Sequence, residues 1–333
     1  MLQQKKFRFR EICLENEMNY IILDLEWNQS SEGRTKRIKE LPFEIIEIGA
    51  IKMDENYNVI GEFNQLIRPK VYRDMNRITQ NLIHIDMEDL QRGKPFEEVI
   101  LQFIDWCGEE YMFCTWGPLD LTELQRNMRY YDQKMLSDRP LKYLDLQKIF
   151  AISFEDKSAR HTLEYAVDFL KIEKDIPFHR AFSDAYYTSK VFEKCPREML
   201  SYVSFDTYIL PSGKNKEIHI QFRDYYKYIS RQFKTKESAI GDREVMSTKC
   251  YLCNKPTKRK VKWFTANGKH YYSISVCEEH GFIKGKVRLK KSESGLFYVV
   301  KTMRQISEEQ VKEIIQKKEQ AKNRILSEKN SKN

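Results

Sequence analysis

The sequence predicts an α/β protein in which a mixed β-sheet is flanked by helices and is followed by a smaller β module. Two patterns support this fold class. Three apolar, β-branched segments lie close together near the N-terminus, and helix-like and strand-like segments alternate after residue 95. Near the C-terminus, two Cys/Cys or Cys/His pairs with metal-ligand spacing interrupt basic, strand-like segments. The 333 residues are enough for a main domain and a smaller unit.

Three predicted strands open the main domain. The segments YIILDLEW (20–27), FEIIEIGAIKM (43–53) and VIGEFNQLIRP (59–69) are apolar and β-branched, as strands are. The loop NQSSEGRTKRIKELP separates the first two and contains the Gly, Ser and Pro of an irregular connection. The turn-like DENYN joins the last two, so we expect a hairpin or meander.

Helices and strands alternate through the rest of this domain. Apolar residues recur at spacings of three and four from Phe96 to Cys107, which predicts an amphipathic helix. YMFCTW is strand-like, and GPLDLTELQRNMRYY predicts a helix with Pro near its first turn. The remaining predicted elements are a short LKYLDL, a helix around HTLEYAVDFL and a helix from about Phe182 to Glu193.

The positive charge of the chain is concentrated at its C-terminal end. The net charge is +9, and residues 250–333 contain 20 Lys+Arg against 8 Asp+Glu, which leaves 38 basic and 41 acidic residues before them. A strongly basic segment suits a polyanion such as nucleic acid, although a solubilising surface has the same composition.

Hydropathy and cysteine usage predict a cytoplasmic protein without a membrane partner. No apolar run approaches the roughly 18–20 residues that span a bilayer, and the N-terminal residues lack the apolar centre of a secretory signal. Thiols stay reduced in the cytoplasm, so we expect no disulfide framework. Four scattered cysteines are interpreted as ordinary small apolar residues: Cys13, Cys107, Cys114 and Cys195.

Two carboxylates interrupt the first predicted strand. Asp24 and Glu26 are two residues apart, so their side chains share one face while Leu23 and Leu25 lie on the other. Two ionised carboxylates on a partly buried face repel each other and lose hydration, and a bound cation offsets both costs. A solvated strand face produces the same pattern.

Two further segments place acidic residues at the start of predicted helices. In TWGPLDLTEL, Asp120 follows a strand and lies in the first turn of the next helix, where a capping carboxylate is the ordinary interpretation. In HRAFSDAYYTSKVF, His179 precedes Asp184 by five residues, and Asp184 begins a helical turn.

This ordered pattern resembles the DEDDh exonucleases of the ribonuclease H-like fold, the superfamily of ribonuclease T and polymerase proofreading subunits. The motifs cover about residues 19–195, and the segments EIIEIGAI, ITQNLIHI and WGPLD support the resemblance. The details are most similar to the branch that trims RNA 3′ ends. A sibling class places a tyrosine where this chain has Arg180, which favours the histidine class.

The resemblance implies a two-metal phosphodiester hydrolase. It assigns His179 as the general base, which takes a proton from the attacking water. Hard oxygen ligands favour Mg²⁺ or Mn²⁺ over softer metals. The implied ligands of two such ions are Asp24, Glu26, Asp120 and Asp184.

The resemblance also implies that the 3′-terminal nucleotide lies beside the first motif. The expected substrate contacts there are Leu25, Trp27 and Asn28. Trp27 could stack on a base, and packing in the core is the alternative. Glu44 and Glu47 are expected to lie on the strand surface or to support the ligands rather than to bind metal.

A second set of residues has the spacing of a zinc site. Cys250 and Cys253 in CYLC and Cys277 and His280 in CEEH form two knuckles separated by 23 residues. This spacing predicts one tetrahedral Zn²⁺ in a zinc-ribbon-like module. Because four protein ligands leave no open coordination position, the predicted zinc is structural. His270 is an alternative to His280.

Basic and aromatic residues are interleaved between the two knuckles. This pattern is typical of nucleic-acid contacts, although aromatic packing in a small core with a solvated basic face is the alternative. Trp263 or Tyr271 could stack bases. The expected phosphate contacts are Lys258, Arg259, Lys260 and Lys262.

The leading hypothesis is a metal-dependent 3′–5′ exonuclease that acts on single-stranded RNA with a free 3′ end and releases nucleoside 5′-monophosphates. A DNA 3′–5′ exonuclease for repair or proofreading would use the same residues. A nucleic-acid-binding assembly factor without turnover is a third hypothesis, although all five motif positions are intact. The predicted segments are a polar lead (1–18), an exonuclease domain (19–196), a charged and aromatic connector (197–247), a basic zinc module (248–304) and a terminal helix with a polar tail (305–333). Within the connector, the stretch QFRDYYKYISRQFKTKE (221–237) is expected to form a helix.

Overall fold

A computed structural model describes residues 18–83, 85–155, 160–265 and 267–330. These residues form two compact units, one up to residue 136 together with 141–206, the other comprising 137–140 and the residues from 207 onward. The predicted polar lead lies outside the described residues except for Met18, as do Cys13 and the last three residues of the predicted tail. None of the described helices is both long and apolar enough to cross a membrane.

The first unit contains a six-stranded mixed sheet, which confirms the predicted fold class. Its strand order is β3-β2-β1-β4-β5-β6, and β4 runs parallel to both β1 and β5 while the other neighbours are antiparallel. Its strands are β1 (Asn19–Asn28), β2 (Glu44–Met53), β3 (Val59–Leu66), β4 (Tyr111–Thr115), β5 (Leu141–Asp145) and β6 (Ser204–Asp206).

Helices pack on both faces of this sheet. The helices are α1 (Arg77–Ile83), α2 (Met87–Gln91), α3 (Phe96–Cys107), α4 (Leu119–Tyr130), α5 (Leu146–Phe154), α6 (Leu163–Phe169) and α7 (Ala181–Lys194). On one face, Leu23 and Leu25 of β1 join a core with Phe103 of α3 and Leu124 of α4. The alternate residues of β1, including Asp24 and Glu26, therefore lie on the face that meets α7.

The second unit is a six-stranded antiparallel sheet with the order β7-β8-β12-β11-β10-β9. Its strands are β7 (Ile218–Gln221), β8 (Tyr226–Ile229), β9 (Lys258–Thr265), β10 (His270–Cys277), β11 (Gly281–Lys291) and β12 (Phe297–Gln305). One face buries Tyr228, Val287 and Val299 against the short helix α8 (Lys236–Gly241), and the other packs on α9 (Glu308–Asn330) through Val311 and Ile314.

The segment predicted as a connector contributes strands to this sheet. The sequence predicts a helix within residues 221–237, but the structure has β8 there, paired with β12. Tyr228 and Ile229 are buried in the sheet, and aromatic and β-branched residues favour a strand once a partner strand is available. The helix prediction was wrong because this pairing partner lies about 70 residues further along the chain, where a local pattern does not reveal it.

Candidate active site and metal centres

Three carboxylates from two elements meet beside β1. Asp24 and Glu26 extend from the strand and Asp184 from the first turn of α7, and their oxygens all lie within 4.8 Å of one another. Each side chain is partly exposed, so the group is open to a ligand. A cluster of hard oxygen donors with this separation suits Mg²⁺ or Mn²⁺.

A close approach between β2 and α7 brings these carboxylates together. Gly49 lies directly across the ladder from Asp24, and a Cβ atom built on it would lie 2.1 Å from the backbone carbon of Ala181 and the backbone nitrogen of Phe182. Only glycine permits this contact. The start of α7 is therefore seated on the strand beside Asp24, one turn before Asp184.

Asp120 is the fourth carboxylate of the acidic site, and it extends from α4 rather than from β1 or α7. It is buried in the first turn of α4, and the backbone N–H groups of Asp120 itself and of Leu25 partly offset the rise that burial gives its pKa. The last residue pair between β1 and β4 is Ile22 and Cys114, so the backbone of Leu25 is not paired with β4. Asp120 does not belong to the group within 4.8 Å, and it acts on that group through its charge.

Burial raises the pKa values of all four carboxyls, and the charges of neighbouring carboxylates add to the effect. Burial, followed by the charges of Asp120, Asp184 and Glu26, raises the pKa of Asp24 well above its usual range. Burial and the charge of Asp184 raise the pKa of Glu26 to about 8. The pKa values of Asp120 and Asp184 are raised to about 7 and about 6, mainly by burial. A divalent cation would remove this penalty, so the donor set fits the predicted metal ions.

His179 lies on the loop that leads into α7. It is exposed, its φ is +67°, and its backbone N–H donates to Oδ1 of Asp184 at 3.3 Å. A non-glycine residue in this left-handed region is strained, and such strain often accompanies functional positions. The His179 side chain is exposed, and its role as the general base stays a prediction.

A buried ion pair fixes the same loop, and the sequence interpretation missed its importance. Glu47 is fully buried directly across from Glu26, and its carboxylate accepts hydrogen bonds from Nε and Nη2 of Arg180 at 3.0 and 2.7 Å. It also accepts one from the backbone of Ala181 at 3.2 Å. Glu47 is two residues before Gly49 and therefore lies on the same strand face, the face that approaches α7. This spacing was the signal available in the sequence.

Two other buried polar side chains near β1 organise loops. The Glu44 carboxylate accepts backbone hydrogen bonds from Lys70 and Tyr72, both at 2.7 Å. The Asn28 amide donates to the carbonyls of Tyr72 and Asp74 and accepts from the backbone of Asn76. Glu44 and Glu47 are therefore buried rather than exposed on the strand surface, and both support backbone.

These contacts correct one of the expected substrate contacts beside β1. Asn28 is fully buried with its amide engaged by a loop, so it does not reach a substrate. Leu25 packs its side chain into the core, so only its backbone is available there, and its role as a substrate contact stays a prediction. Trp27 is partly exposed and packs against Phe43 with ring centroids 5.5 Å apart, so its role as a substrate contact stays a prediction.

The four predicted zinc ligands lie together in the second unit. Cys253 and Cys277 have sulfurs 3.7 Å apart, and Nδ1 of His280 lies 3.6 Å from the sulfurs of both Cys250 and Cys277. Tetrahedral Zn²⁺ with ordinary bond lengths requires about 3.8 Å between sulfurs and about 3.6 Å between sulfur and nitrogen. The donor set thus fits a closed zinc site. His270 lies at the opposite end of β10 from Cys277 and is not part of the group.

The structure separates the predicted contacts on β9 into outward and inward side chains. Trp263 packs over Gly285 against the core, and its indole N–H donates to the carbonyl of Met246 at 2.9 Å. Its side chain stays partly exposed, so its role in base stacking stays a prediction. Lys258 pairs with Glu278 at 3.2 Å. The outward, exposed side chains are Lys258, Arg259, Lys260 and Lys262, whose phosphate contacts stay a prediction.

Known proteins are similar to this chain mainly over its first unit. Residues 21–192 match the family model RNase T, described as exonuclease. The PolC-type DNA polymerase III of Streptococcus pneumoniae serotype 2 is 24% identical over 148 residues, which is 44% of this chain but only 9% of the polymerase. The nuclease domain of 3′hExo, described as a DEDDh family member bound to rAMP, has 17% identity and a TM-score of 0.46 over 54% of this chain and 92% of that one. Exonuclease I of E. coli, solved with a dT13 oligonucleotide, has 14% identity and a TM-score of 0.41 over 65% of this chain and 55% of that one.

Proposed function

The chain belongs to the RNase T family of exonucleases, and we propose that it is a metal-dependent 3′–5′ exonuclease acting on single-stranded RNA. The observation that supports this most strongly is the group formed by Asp24, Glu26 and Asp184, with oxygens within 4.8 Å of one another. Burial, followed by repulsion from Asp184 and Asp120, raises the pKa values of Asp24 and Glu26, as expected of a site built for cations.

The residues of the site have distinct roles in this proposal. Asp24, Glu26, Asp120 and Asp184 hold two Mg²⁺ or Mn²⁺ ions. Such ions, when bound, supply the Lewis acidity that activates water and stabilises the departing 3′ oxygen. His179 accepts the proton of the attacking water, a contribution typically worth about 10²–10⁴ in rate. Arg180 and Glu47 hold the loop of His179 in place.

The choice of RNA rests on two supports. The details of the motifs are most similar to the branch of the family that trims RNA 3′ ends. The strongly basic second unit suits a nucleic-acid strand. The second candidate is a DNA 3′–5′ exonuclease, which the similarity to the PolC-type DNA polymerase favours. Both use the same four carboxylates and the same general base.

Degradation of end-labelled oligonucleotides tests the proposal. RNA and DNA of one sequence, labelled at the 5′ end, are incubated with Mg²⁺ or Mn²⁺ and the full chain, beside Asp184→Asn. The matched control is Asp105→Asn, an exposed aspartate on α3. We expect progressive 3′ shortening by the wild type and the control but not by Asp184→Asn, with RNA degraded faster. Faster loss of DNA would favour the second candidate, and intact substrate with folded, metal-supplied protein would overturn the exonuclease assignment.

A further inference from the structure

One face of the second sheet carries a row of cations on β11. Lys284, Lys286 and Arg288 alternate with Gly285 and Val287, so the basic side chains share one face and the small or apolar ones face the core. Side chains two residues apart on an antiparallel strand are about 6.8 Å apart. Lys290 continues the alternation at the exposed end of the strand.

Neighbouring elements add further basic side chains to this row. Arg304 of β12 lies directly opposite Lys284, and His270 of β10 lies directly opposite Arg288. From α9, Lys317 lies over the ring of Tyr272 at 4.3 Å and donates to its hydroxyl at 3.2 Å. We call the group Lys284, Lys286, Arg288, Arg304 and Lys317 the cationic face.

No carboxylate balances most of this charge. Among the residues that the structure describes, none of the five side chains of the cationic face forms an ion pair within 4.0 Å. Partial burial, then the charges of Arg304, Lys286 and Lys317, lowers the pKa of Lys284, and Glu313 opposes this only weakly. Partial burial and the charges of Arg288, Lys317 and Arg304 lower the pKa of Lys286.

Such an arrangement costs stability in the absence of a ligand. Like charges directly opposite each other on a ladder repel, as Lys284 and Arg304 do. Helix α9 packs over Val261, Tyr272 and Ile274, so the cations of β11 and β12 lie beside the helix and remain partly or fully exposed. An anion at this face would offset the repulsion.

We propose that the cationic face binds the sugar–phosphate backbone of a single-stranded nucleic acid. Charge complementarity and a regular, linear spacing favour a chain of phosphates over a compact anion. Tyr272 and Tyr298, which lie beside the row, are buried and offer no surface for base stacking, so the proposed contacts are with phosphates rather than bases. This surface is distinct from the carboxylate site, and its link to substrate handling rests on the proposed function.

Binding measured without turnover tests this inference. Fluorescence anisotropy of a labelled 20-nucleotide RNA is recorded across a salt series with the full chain bearing Asp184→Asn. The test variant adds Lys286→Gln and Arg288→Gln. The matched control adds Lys318→Gln and Lys322→Gln, two exposed lysines on α9 with the same loss of charge. Loss of two phosphate contacts should weaken binding and flatten the slope of log affinity against log salt by about 1.4, whereas the control keeps the parent slope.

Several outcomes would support or overturn nucleic-acid binding at the cationic face. The exchange Lys286→Arg with Arg288→Lys keeps the charge and should keep the binding, while zinc content and circular dichroism report that each variant is folded. An unchanged slope and affinity in the Gln variant would overturn the inference. So would competition by polyglutamate as effective as that by unlabelled RNA, which would indicate an acidic protein partner. A chain that binds through this face but never cleaves would contradict only the proposed function.

Discussion

Arg180 forms a two-point ion pair with Glu47, a fully buried carboxylate that lies directly across the ladder from Glu26. This pair joins the strand beside the acidic site to the loop of His179. Arginine suits the position because its planar guanidinium presents two parallel donors to one carboxylate. Arg180 is therefore a positioning residue for its neighbour His179, the proposed general base.

Replacing Arg180 with Gln should lower both stability and activity. Removing one partner leaves Glu47 buried without its counter-charge, and because the Arg180 side chain is 36% exposed, we expect a loss of about 2 kcal/mol in the free energy of unfolding. Chemical denaturation and the oligonucleotide assay measure the two effects. Arg92→Gln, which breaks the exposed pair with Glu88, is the control and should change neither. Equal behaviour of the two variants would contradict a positioning role.

Replacing His179 with Gly should separate activity from stability. Glycine relieves the left-handed backbone at φ +67°, so the free energy of unfolding should stay constant or rise by about 1 kcal/mol. Turnover should fall about 10²–10⁴-fold, because the general base is lost. Lys171 is also exposed and left-handed, at φ +54°, and Lys171→Gly should give the same stability change with full activity. Full activity of His179→Gly would remove the histidine from the mechanism.

Replacing Gly49 with Ala should disrupt the acidic site. The added methyl group would lie 2.1 Å from the backbone of Ala181, so α7 must move away from β2. We expect a lower melting temperature and loss of cleavage together. Gly241→Ala in α8 has no neighbouring atom within 4 Å and should be tolerated. Wild-type activity in Gly49→Ala would show that Asp184 does not depend on this contact.

The metal-free protein should lose stability as pH rises. Glu26 has a raised pKa in the folded state, about 8 against 4.5, so the folded chain binds more protons between these values and its free energy of unfolding falls with increasing pH. Thermal unfolding should therefore show stabilisation by Mg²⁺ or Mn²⁺ that grows from pH 5 to pH 8. Glu26→Gln should flatten the metal-free curve by on the order of 2 kcal/mol, whereas Glu62→Gln, an exposed change on β3, should not. A metal effect that declines with pH would contradict the repulsion argument.

One zinc ion per chain should depend on the Cys/His group of the second unit. Elemental analysis of the wild type should find it, and Cys253→Ser should lose it, because its sulfur lies 3.7 Å from that of Cys277 as a tetrahedral site requires. Loss of zinc should lower the stability of the second unit. Cys195→Ala, a buried cysteine of the first unit, should keep the zinc. Zinc retained in Cys253→Ser would point to another site.

Much of the acidic site was predictable from local spacing. Asp24 and Glu26 share a face because strand side chains alternate. In each of the two knuckles, CYLC and CEEH, two residues separate the predicted zinc ligands. These patterns act over a few residues. The helix predicted within 221–237 was wrong because the segment has a distant partner: β12 pairs with β8. The packing of Trp263 over Gly285 was equally invisible to local spacing.

The sequence by itself determined the fold class, the chemical nature of the two candidate metal-binding groups and the basic character of the C-terminal residues, because each follows from residue type and short-range periodicity. Only the tertiary structure decided that Gly49 seats α7, that Arg180 neutralises Glu47 and that Asn28 holds a loop instead of a substrate. It also decided that the cations of β11 lie opposite Arg304 and His270 on one face. These relations join residues far apart in the chain, and strand pairing and close packing create them.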